Sequence, residues 1–322
     1  MSVLRLQPLV RLTLSRLGER GEAWRVALPR TLAGLEHRLG VTVERGLPGG
    51  STAHLVVARG ARGACVLKIP LPDVDLTAEA ALLEAADGRG YVRLLGRDAP
   101  TGSLVLEEAG EALERTPGDP TDRLRLLVDV LPLAWRPAPT PEPHGPVGSR
   151  ATERAGRVRE LDQRLGGVLP APVRDAALAA AARLEHPPAV VWAHGDPHPS
   201  NLLRALDGRG WVFVDPDGVV AEPASDAGVL LRGGSEALLA AGADAAALQA
   251  ARVARVAARL DLDPARVADW ALLERVATGL HVLDLGAARL AGPMLDSAAL
   301  LVGAAPPAPF GDAGPAGVEP QG

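Results

Sequence analysis

Two short apolar runs interrupt a second half of the chain in which apolar residues otherwise recur with helical spacing. The first run, AVVWAHGD, ends at Asp196, and the second, WVFVDPDG, contains Asp215. Short runs rich in valine and aromatic residues and bounded by glycine are typical of β-strands. We expect the two runs to form a hairpin with polar residues at its ends, which requires a fold that sets strands among helices.

The polar residues around these runs match the requirements of phosphoryl transfer. Asp196 and Asn201 have the Asp-x-x-x-x-Asn spacing of a kinase catalytic loop, and Asp215 ends the next run, where such a fold has its metal-binding aspartate. The reaction needs one carboxylate that faces the acceptor hydroxyl and oxygen ligands for Mg²⁺. Asp196 is predicted to take the first task, and Asn201 and Asp215 the second. Asn201 is the only asparagine in the chain, although a loop asparagine also suits a tight turn.

The chain contains a single lysine, Lys68, at the end of the β-rich run CVLKI. A kinase keeps a lysine at such a position, where it contacts the α- and β-phosphates and pairs with a helix glutamate, here predicted to be Glu79. Arginine is a poor substitute, because its guanidinium is a planar fork whereas an ammonium is a compact charge. The alternative is a lysine that extends its charge to solvent from a strand end. Ile69 is equally unique and has no evident functional reason.

A glycine-containing stretch, GLPGGSTA, precedes this lysine. Its residues Gly49, Gly50, Ser51 and Thr52 are predicted to cover the nucleotide phosphates, because backbone amides approach closely where no Cβ intervenes. The stretch lacks the G-x-G-x-x-G spacing, so a plain hairpin turn fits the local sequence equally well. A Walker A loop is excluded, because it needs Gly-Lys followed by serine or threonine.

Two histidines flank Asp196 in the stretch HGDPH. His194 is expected to brace the loop by hydrogen bonds and not to transfer protons. The alternation of His194, Asp196 and His198 also fits the ligands of a metallohydrolase. That interpretation leaves the lone lysine, the lone asparagine and the second aspartate unexplained, so we favour phosphoryl transfer.

Periodicity along the chain indicates two lobes. A sheet-rich lobe covers residues 1–110, with an antiparallel meander and a short helix that has Asp75 or Thr77 as its N-cap. A mostly helical lobe covers residues 111–302. Residues 303–322 are rich in proline, glycine and alanine and are expected to form a disordered tail.

Composition argues against several classes of function. The formal net charge of −5 gives no evident basic face for nucleic acid and suits a cationic small molecule better. A single cysteine, Cys65, excludes an intrachain disulfide and favours a reducing compartment, so we expect a cytoplasmic protein. The sequence shows no uncharged apolar run of about 18 residues, so no membrane span is predicted. It does not indicate the oligomeric state.

The chain resembles the aminoglycoside phosphotransferase family, whose fold is protein-kinase-like, in the stretches HGDPHPSNLL and FVDPDG, which match the family's catalytic and metal loops. The branch of streptomycin 6-kinases and hydroxyurea phosphotransferases is indicated by GEAW, LPGGSTAHLV, DPDGVVAEPASDAGVLLR and LDPARVADWAL. The resemblance extends from about Gly21 to about Gly286. It implies a two-lobed α+β fold with a small antiparallel-sheet N-terminal lobe and a larger, mainly helical C-terminal lobe.

The resemblance also implies an activity and its cofactors. The protein is expected to transfer the γ-phosphate of ATP, with Mg²⁺, to a hydroxyl of a small molecule, most of all a streptomycin-like aminoglycoside. The alternatives are a kinase of another small hydroxylated metabolite and a nucleotide-binding module that does not catalyse.

Site residues follow from the matching positions. The resemblance implies that Asp226 anchors the catalytic loop and that the linker LVLEEAG, which includes Glu107, reads adenine through its backbone. It implies that Asp196 is the catalytic base and that Asn201 and Asp215 are Mg²⁺ ligands. It also implies that Lys68 contacts the phosphates and that Glu79 is the partner of Lys68.

The acceptor is less well specified. His198 and Asp284 are candidates for contacts with a cationic substrate, although Asp284 also fits a solvated helix carboxylate. The branch has Gly-Asp-Pro-Ala-Tyr-Asp after the metal loop, whereas this chain has AEPASD, with changes at Ala221, Glu222 and Ser225. It also has His281 where the branch has a tryptophan. We expect these departures to lie toward the acceptor side and to bear on substrate choice.

Overall fold

The structure, a computed structural model, describes residues 3–50, 52–137 and 149–307. Ser51 of the glycine-containing stretch and residues 308–322 of the predicted tail lie outside the described residues. Internal contacts divide the chain into two units, Met1–Pro117 with Pro199–Gly218, and Gly118–His198 with Val219–Gly322. The division differs from the predicted continuous lobes, because the segment after the catalytic loop returns to the first unit.

A five-stranded antiparallel sheet forms the centre of the first unit. Its strands are β1 (Val41–Gly46), β2 (Ala53–Gly60), β3 (Gly63–Pro70), β4 (Leu94–Asp98) and β5 (Ser103–Glu107), in the order β1-β2-β3-β5-β4. The central strand β3 places Lys68 opposite Leu55 of β2 and Leu104 of β5. The predicted meander over β1 to β3 is therefore present, and Lys68 lies in its middle.

Two helices that the sequence analysis did not predict, α1 (Pro8–Arg16) and α2 (Glu19–Leu39), cover one face of this sheet. Their leucines and valines share a core with alternate residues of the strands, including Leu67 and Ile69. Ile69 is 1% exposed, so packing accounts for it. Because neighbouring strand residues point to opposite faces, Lys68 lies on the face away from the helices.

The first unit also contains α3 (Thr77–Ala86) and a second, three-stranded sheet. Asp75 Oδ1 accepts a hydrogen bond from Thr77 N at 2.8 Å as α3 begins, with Leu76 in the cap position. The second sheet has the order β10-β9-β6 and consists of β6 (Ala109–Ala112), β9 (Leu202–Ala205) and β10 (Trp211–Phe213).

The prediction that the two apolar runs form a hairpin with each other is wrong. The first run forms β8 (Val191–Ala193), which pairs with β7 (Arg136–Pro137) and β11 (Val219–Ala221), all in the second unit. The second run forms β10, which pairs with β9 instead. The stretch LLRA at 202–205 was not recognised as a strand. It is closer in sequence to β10 than β8 is, so pairing with it closes a shorter loop and costs less conformational entropy.

The second unit is mostly helical. Its central helix, α7 (Pro223–Arg232), is buried along Ala224–Leu231, and the long helix α10 (Pro264–Asp284) packs against it. The other helices are α4 (Pro120–Ala134), α5 (Ser149–Arg164), α6 (Ala171–Arg183), α8 (Ser235–Ala241), α9 (Ala245–Leu260) and α11 (Ala288–Leu301).

Within the described residues, one stretch, Ser235–Leu260, is long and apolar enough to cross a membrane by length and composition alone. A single stretch of this kind is weak evidence for a span. The chain is also broken there, because Gly242 has a φ of +52° between α8 and α9. The expectation of no membrane span stays a prediction.

Candidate active site

Lys68 lies between two carboxylates in the first unit. Its side chain is almost fully buried, and Nζ donates to Glu79 Oε2 at 2.5 Å and to Asp215 Oδ1. Glu79 comes from the first turn of α3, and Asp215 follows β10. The structure thus brings together three of the residues predicted for the site. A lysine that extends to solvent from a strand end is excluded by this burial.

The charges in this cluster are strongly coupled. Burial alone would lower the pKa of Lys68, but the charges of Asp215 and Glu79 outweigh it and raise that pKa above its usual range. Burial raises the pKa of Glu79, and the nearby Asp215 and Asp217 add to the rise, whereas Lys68 opposes it. Lys68 therefore stays protonated, whereas Glu79 gains a proton more readily than an ordinary glutamate.

Asn201 and Asp215 lie at the same end of the hairpin formed by β9 and β10. Leu202 pairs with Phe213, and Val214 N donates to Asn201 O at 2.9 Å. Asp215 has a φ of +57°, a backbone conformation that is uncommon outside glycine and is often held at functional sites. Its side chain is 45% exposed and so remains accessible to a ligand.

The donor set at this end of the hairpin fits magnesium better than a softer metal. It offers an amide oxygen and a carboxylate oxygen, the hard ligands that Mg²⁺ takes together with substrate phosphates and water. Among the described residues, no group of three or more histidine, cysteine, aspartate or glutamate side chains is placed to hold a metal ion. A metal held here depends on oxygens from a nucleotide as well as those of the protein.

Gly218 holds the segment after Asp215 against α3. It has a φ of +64°, and a Cβ at this position would lie 2.8 Å from the carbonyl oxygen of Ala78. Only glycine allows this approach without a shift of the backbone. The contact places the chain that follows Asp215 beside Ala78, the residue before Glu79. The sequence analysis did not single out Gly218.

The glycine-containing stretch connects β1 and β2. Gly49 and Gly50 have φ values of +97° and +80°, and a Cβ on Gly50 would lie 2.7 Å from the Ala53 carbonyl oxygen. Thr52 O accepts from Leu71 N at 2.9 Å, which ties the stretch to the chain after β3. The backbone therefore requires glycine at these two positions, as in a loop whose amides face a ligand or in a tight hairpin turn.

Glu107 ends β5 and lies within a charged cluster. Its carboxylate pairs with Arg93 Nη1 at 3.1 Å and with Arg209, and its own N–H donates to Arg93 O at 3.0 Å. Arg209 also donates to the carbonyls of Gly88 and Tyr91. The cluster fixes the β9–β10 turn to the end of β5. Adenine recognition by the linker backbone stays a prediction.

In the second unit, Asp196 is held by two cationic or hydrogen-bonding side chains. Arg232 Nη2 lies 2.5 Å from Asp196 Oδ1, and His198 Nε2 lies 3.3 Å from Oδ2. Burial by itself would raise the pKa of Asp196, but the His198 hydrogen bond and the Arg232 charge hold it far below its usual range. Asp196 is therefore ionised at every ordinary pH, and Arg232 is a site residue that the sequence analysis missed.

Asp226 fixes the loop that carries Asp196. Its Oδ2 accepts from His194 N at 2.9 Å and its Oδ1 accepts from Gly195 N at 2.8 Å. His194 is fully buried, and its Nδ1 accepts from Asp196 N at 3.2 Å. These are the contacts that loop anchoring by Asp226 and bracing by His194 require.

Two further residues of the second unit support the same loop and were not predicted. Trp135 Nε1 donates to Asp226 Oδ2 at 2.9 Å, and Arg150 Nη2 donates to Gly195 O at 3.0 Å. Both come from segments distant in sequence, so no local pattern could reveal them.

Asp284, a candidate substrate contact, forms a two-pronged ion pair with Arg164 at 3.0 and 3.1 Å. A cationic substrate would have to compete with this arginine. His281 is exposed, and its Nδ1 lies 3.4 Å from Arg157 Nη2. The substrate role of Asp284 stays a prediction.

The departures in AEPASD are packing substitutions. Ala221, Glu222 and Ser225 are all at most 3% exposed. Glu222 accepts from Trp270 Nε1 at 2.6 Å and pairs with Arg266 at the same distance. These side chains face the interior of the unit, and the expectation that the positions lie toward the acceptor stays a prediction.

Comparisons with known proteins place the chain in a family. A family model described as aminoglycoside/hydroxyurea antibiotic resistance kinase matches residues 39–286. The chain is 29% identical to a streptomycin 6-kinase of Streptomyces griseus over 280 residues, 85% of this chain and 89% of that protein. It is 30% identical to a hydroxyurea phosphotransferase of Kitasatospora aureofaciens over 225 residues, 67% of this chain and 64% of that protein.

Solved structures show the same fold. Choline kinase LicA from Streptococcus pneumoniae matches with a TM-score of 0.57 at 15% identity, over 84% of this chain and 98% of that chain. Aminoglycoside phosphotransferase APH(4)-Ia, solved as a ternary complex with ADP and hygromycin B, matches with a TM-score of 0.57 at 14% identity and the same coverage. The predicted protein-kinase-like α+β fold is confirmed.

Proposed function

Since the chain belongs to the aminoglycoside/hydroxyurea antibiotic resistance kinase family, we propose that it transfers the γ-phosphate of ATP to a hydroxyl of a streptomycin-type aminoglycoside. Membership makes it an antibiotic-resistance phosphotransferase, and the fold is one that binds nucleotides in its solved relatives. The observation that carries the proposal is the buried ion pair of Lys68 with Glu79 and its second contact with Asp215.

Each residue has a distinct proposed task. Lys68, held by Glu79, contacts the α- and β-phosphates, and the backbone around Gly49 and Gly50 covers them. Asn201 and Asp215 would hold Mg²⁺, which when bound neutralises phosphate charge. Asp196 accepts a hydrogen bond from the acceptor hydroxyl and orients it. Because its carboxylate is such a weak base, we propose that it receives the proton late, as the new P–O bond forms.

The acceptor proposal has two supports. A streptomycin 6-kinase is among the relatives that align with most of this chain, and the chain carries a formal net charge of −5, which suits a polycation. A second candidate acceptor is hydroxyurea, supported by the 30% identity to a hydroxyurea phosphotransferase. A module that binds nucleotide without catalysis is disfavoured, because the base and both metal-ligand positions are present.

A substrate-dependent ADP-release assay with Mg²⁺ and ATP tests the proposal. Streptomycin, other aminoglycosides, hydroxyurea and common hydroxylated metabolites serve as separate acceptors. We expect ADP release above background with streptomycin, and a phosphate ester in the product. Binding of nucleotide with no acceptor-dependent ADP release would favour the non-catalytic module. Release with hydroxyurea alone would assign the second candidate.

We also propose a cytoplasmic location. The support is the single cysteine, Cys65, which is buried and free, together with the intracellular supply of ATP that such a reaction needs. Fractionation of cells that express the chain, with detection in the soluble fraction, is the test.

The contact between Arg232 and Asp196 leads to a pH prediction. In Arg232→Gln, the carboxylate stays buried but loses the charge of Arg232, so burial is less opposed and raises its pKa toward its usual range or above it. Activity then falls as the pH drops through this raised pKa, because only the ionised form accepts the hydroxyl proton. The measurement is kcat/KM against pH, where we expect the acid limb of the variant to move upward relative to the wild type.

Arg232→Lys is the matched control, because it keeps a positive charge at this position. Its acid limb is expected to move less than that of Arg232→Gln. If the acid limb of kcat/KM lies at the same pH in the wild type and in Arg232→Gln, Arg232 does not set the ionisation of Asp196.

A further inference from the structure

An arm of residues 3–7 precedes α1 and is fastened by two buried polar side chains. Gln7 is 2% exposed and His54, on β2, is fully buried. A buried polar group is costly unless it is hydrogen-bonded, so such a pair in an apolar interior calls for an explanation. His54 shares its sheet face with Val56, which packs under α1 and α2, and so lies away from Lys68.

The two side chains link three segments of the first unit. His54 Nε2 lies 2.9 Å from Val3 O, and His54 Nδ1 lies 3.1 Å from Gln7 Oε1. Gln7 Nε2 in turn donates to Leu47 O. The arm is thereby tied at one end to β2 and at the other to the chain that leaves β1.

Leu47 is the first residue of the glycine-containing stretch beyond β1. Its N–H donates to Leu55 O at 2.9 Å, while its carbonyl is taken by Gln7, so both of its peptide groups are fixed. Gly49 and Gly50 follow with positive φ values. Glycine has the greatest backbone freedom of any residue, so the position of these amides depends on how firmly Leu47 is held.

The arm lies before the residues that match the family model, which begin at residue 39. We propose that Gln7 and His54 are positioning residues that hold the start of the glycine-containing stretch and thereby set the affinity for the nucleotide. The inference rests on the proposed function in one respect, that this stretch covers the phosphates.

The test compares Gln7→Met and His54→Phe with the wild type in the full-length chain. Methionine keeps the length of Gln7 without its amide, and phenylalanine keeps a ring without the two nitrogens. The probe is a non-hydrolysable ATP analogue with Mg²⁺, titrated by calorimetry. We expect Kd to rise roughly threefold to tenfold in each variant, as for the loss of a hydrogen bond, while KM for the acceptor and kcat at saturating ATP stay unchanged.

Leu14→Ala is the control for stability. Leu14 is buried in the same helix and sheet core, about two turns further along α1. We expect it to lower the melting temperature without raising Kd for the nucleotide. An equal rise in Kd for Leu14→Ala, an unchanged Kd in both polar variants, or loss of folding in both would overturn the proposal. If the wild type itself binds no nucleotide, the proposed function fails, and that result is distinct from each of these.

Discussion

Asp196→Asn is expected to lower kcat by about 10²- to 10⁴-fold, the range for loss of a group that handles the proton of the acceptor. The asparagine keeps the shape of the side chain but cannot take up the hydroxyl proton. Nucleotide binding should survive, because the residues proposed to contact the phosphates lie elsewhere in the sequence. The measurements are steady-state ADP release and calorimetric titration of an ATP analogue.

Asp269→Asn is a matched control for this change. Asp269 is an aspartate of the same unit, ion-paired with Arg183 at 2.6 Å, and has no proposed part in the reaction. Its kcat is expected to stay near that of the wild type. Retained turnover in Asp196→Asn would remove Asp196 from its proposed role.

Lys68→Arg is expected to lower kcat/KM by about 10²-fold or more, the range for losing a preorganised electrostatic contact. Arginine keeps the positive charge, but its fork is larger and flatter than an ammonium, and the Lys68 side chain is almost fully buried between Glu79 and Asp215. The substitution therefore displaces charge from the position proposed for the phosphates even if the protein remains folded. Steady-state kinetics in ATP, with a melting temperature for each variant, measures the effect.

Arg59→Lys is the control, because it exchanges arginine for lysine at an exposed ion pair. Arg59 on β2 pairs there with Glu44 on the neighbouring strand β1. It is expected to leave kcat/KM nearly unchanged, since exposed pairs contribute little. Near wild-type activity in Lys68→Arg would show that any cation suffices at position 68, and the proposed reason for the lone lysine would then be lost.

Lys68 and Glu79 could be predicted because each lies in an element with a clear local pattern. Lys68 lies in a short β-rich run between a glycine turn and a proline, and Glu79 occupies the first turn of a helix with an evident start near Asp75. Once both elements were recognised, the kinase pattern of a strand lysine paired with a helix glutamate indicated Glu79 as the partner. Uniqueness in the sequence does not by itself mark a functional residue, because Ile69 is also unique and packs in the core beneath α1 and α2.

The partner of Asp196 could not be predicted in this way. Arg232 is 36 residues away, and Trp135 lies 91 residues from Asp226, so both contacts arise only when α7 and the end of α4 pack on the loop. The sequence contains many arginines, and no local sequence feature distinguishes Arg232 from the others. Such contacts depend on tertiary packing, which periodicity does not report.

The N-terminal helices were missed for a related reason. Pro29 lies inside α2, and arginines interrupt the apolar residues of α1 and α2, so the stretch gave no evident helical stripe. Burial against the sheet stabilises both helices in spite of these residues. The hairpin was predicted wrongly for a different reason. The two runs with clear strand patterns were paired with each other, and β9, which has a weaker pattern and pairs with β10, was overlooked.

The most direct test of the account is a crystal structure with a non-hydrolysable ATP analogue and Mg²⁺. We expect Lys68 Nζ to keep Glu79 and contact the α- and β-phosphates, while the metal takes oxygens from Asn201 and Asp215 and draws Asp215 away from Lys68. A nucleotide bound elsewhere, with the contact between Lys68 and Asp215 intact and no metal on Asn201, would contradict the account.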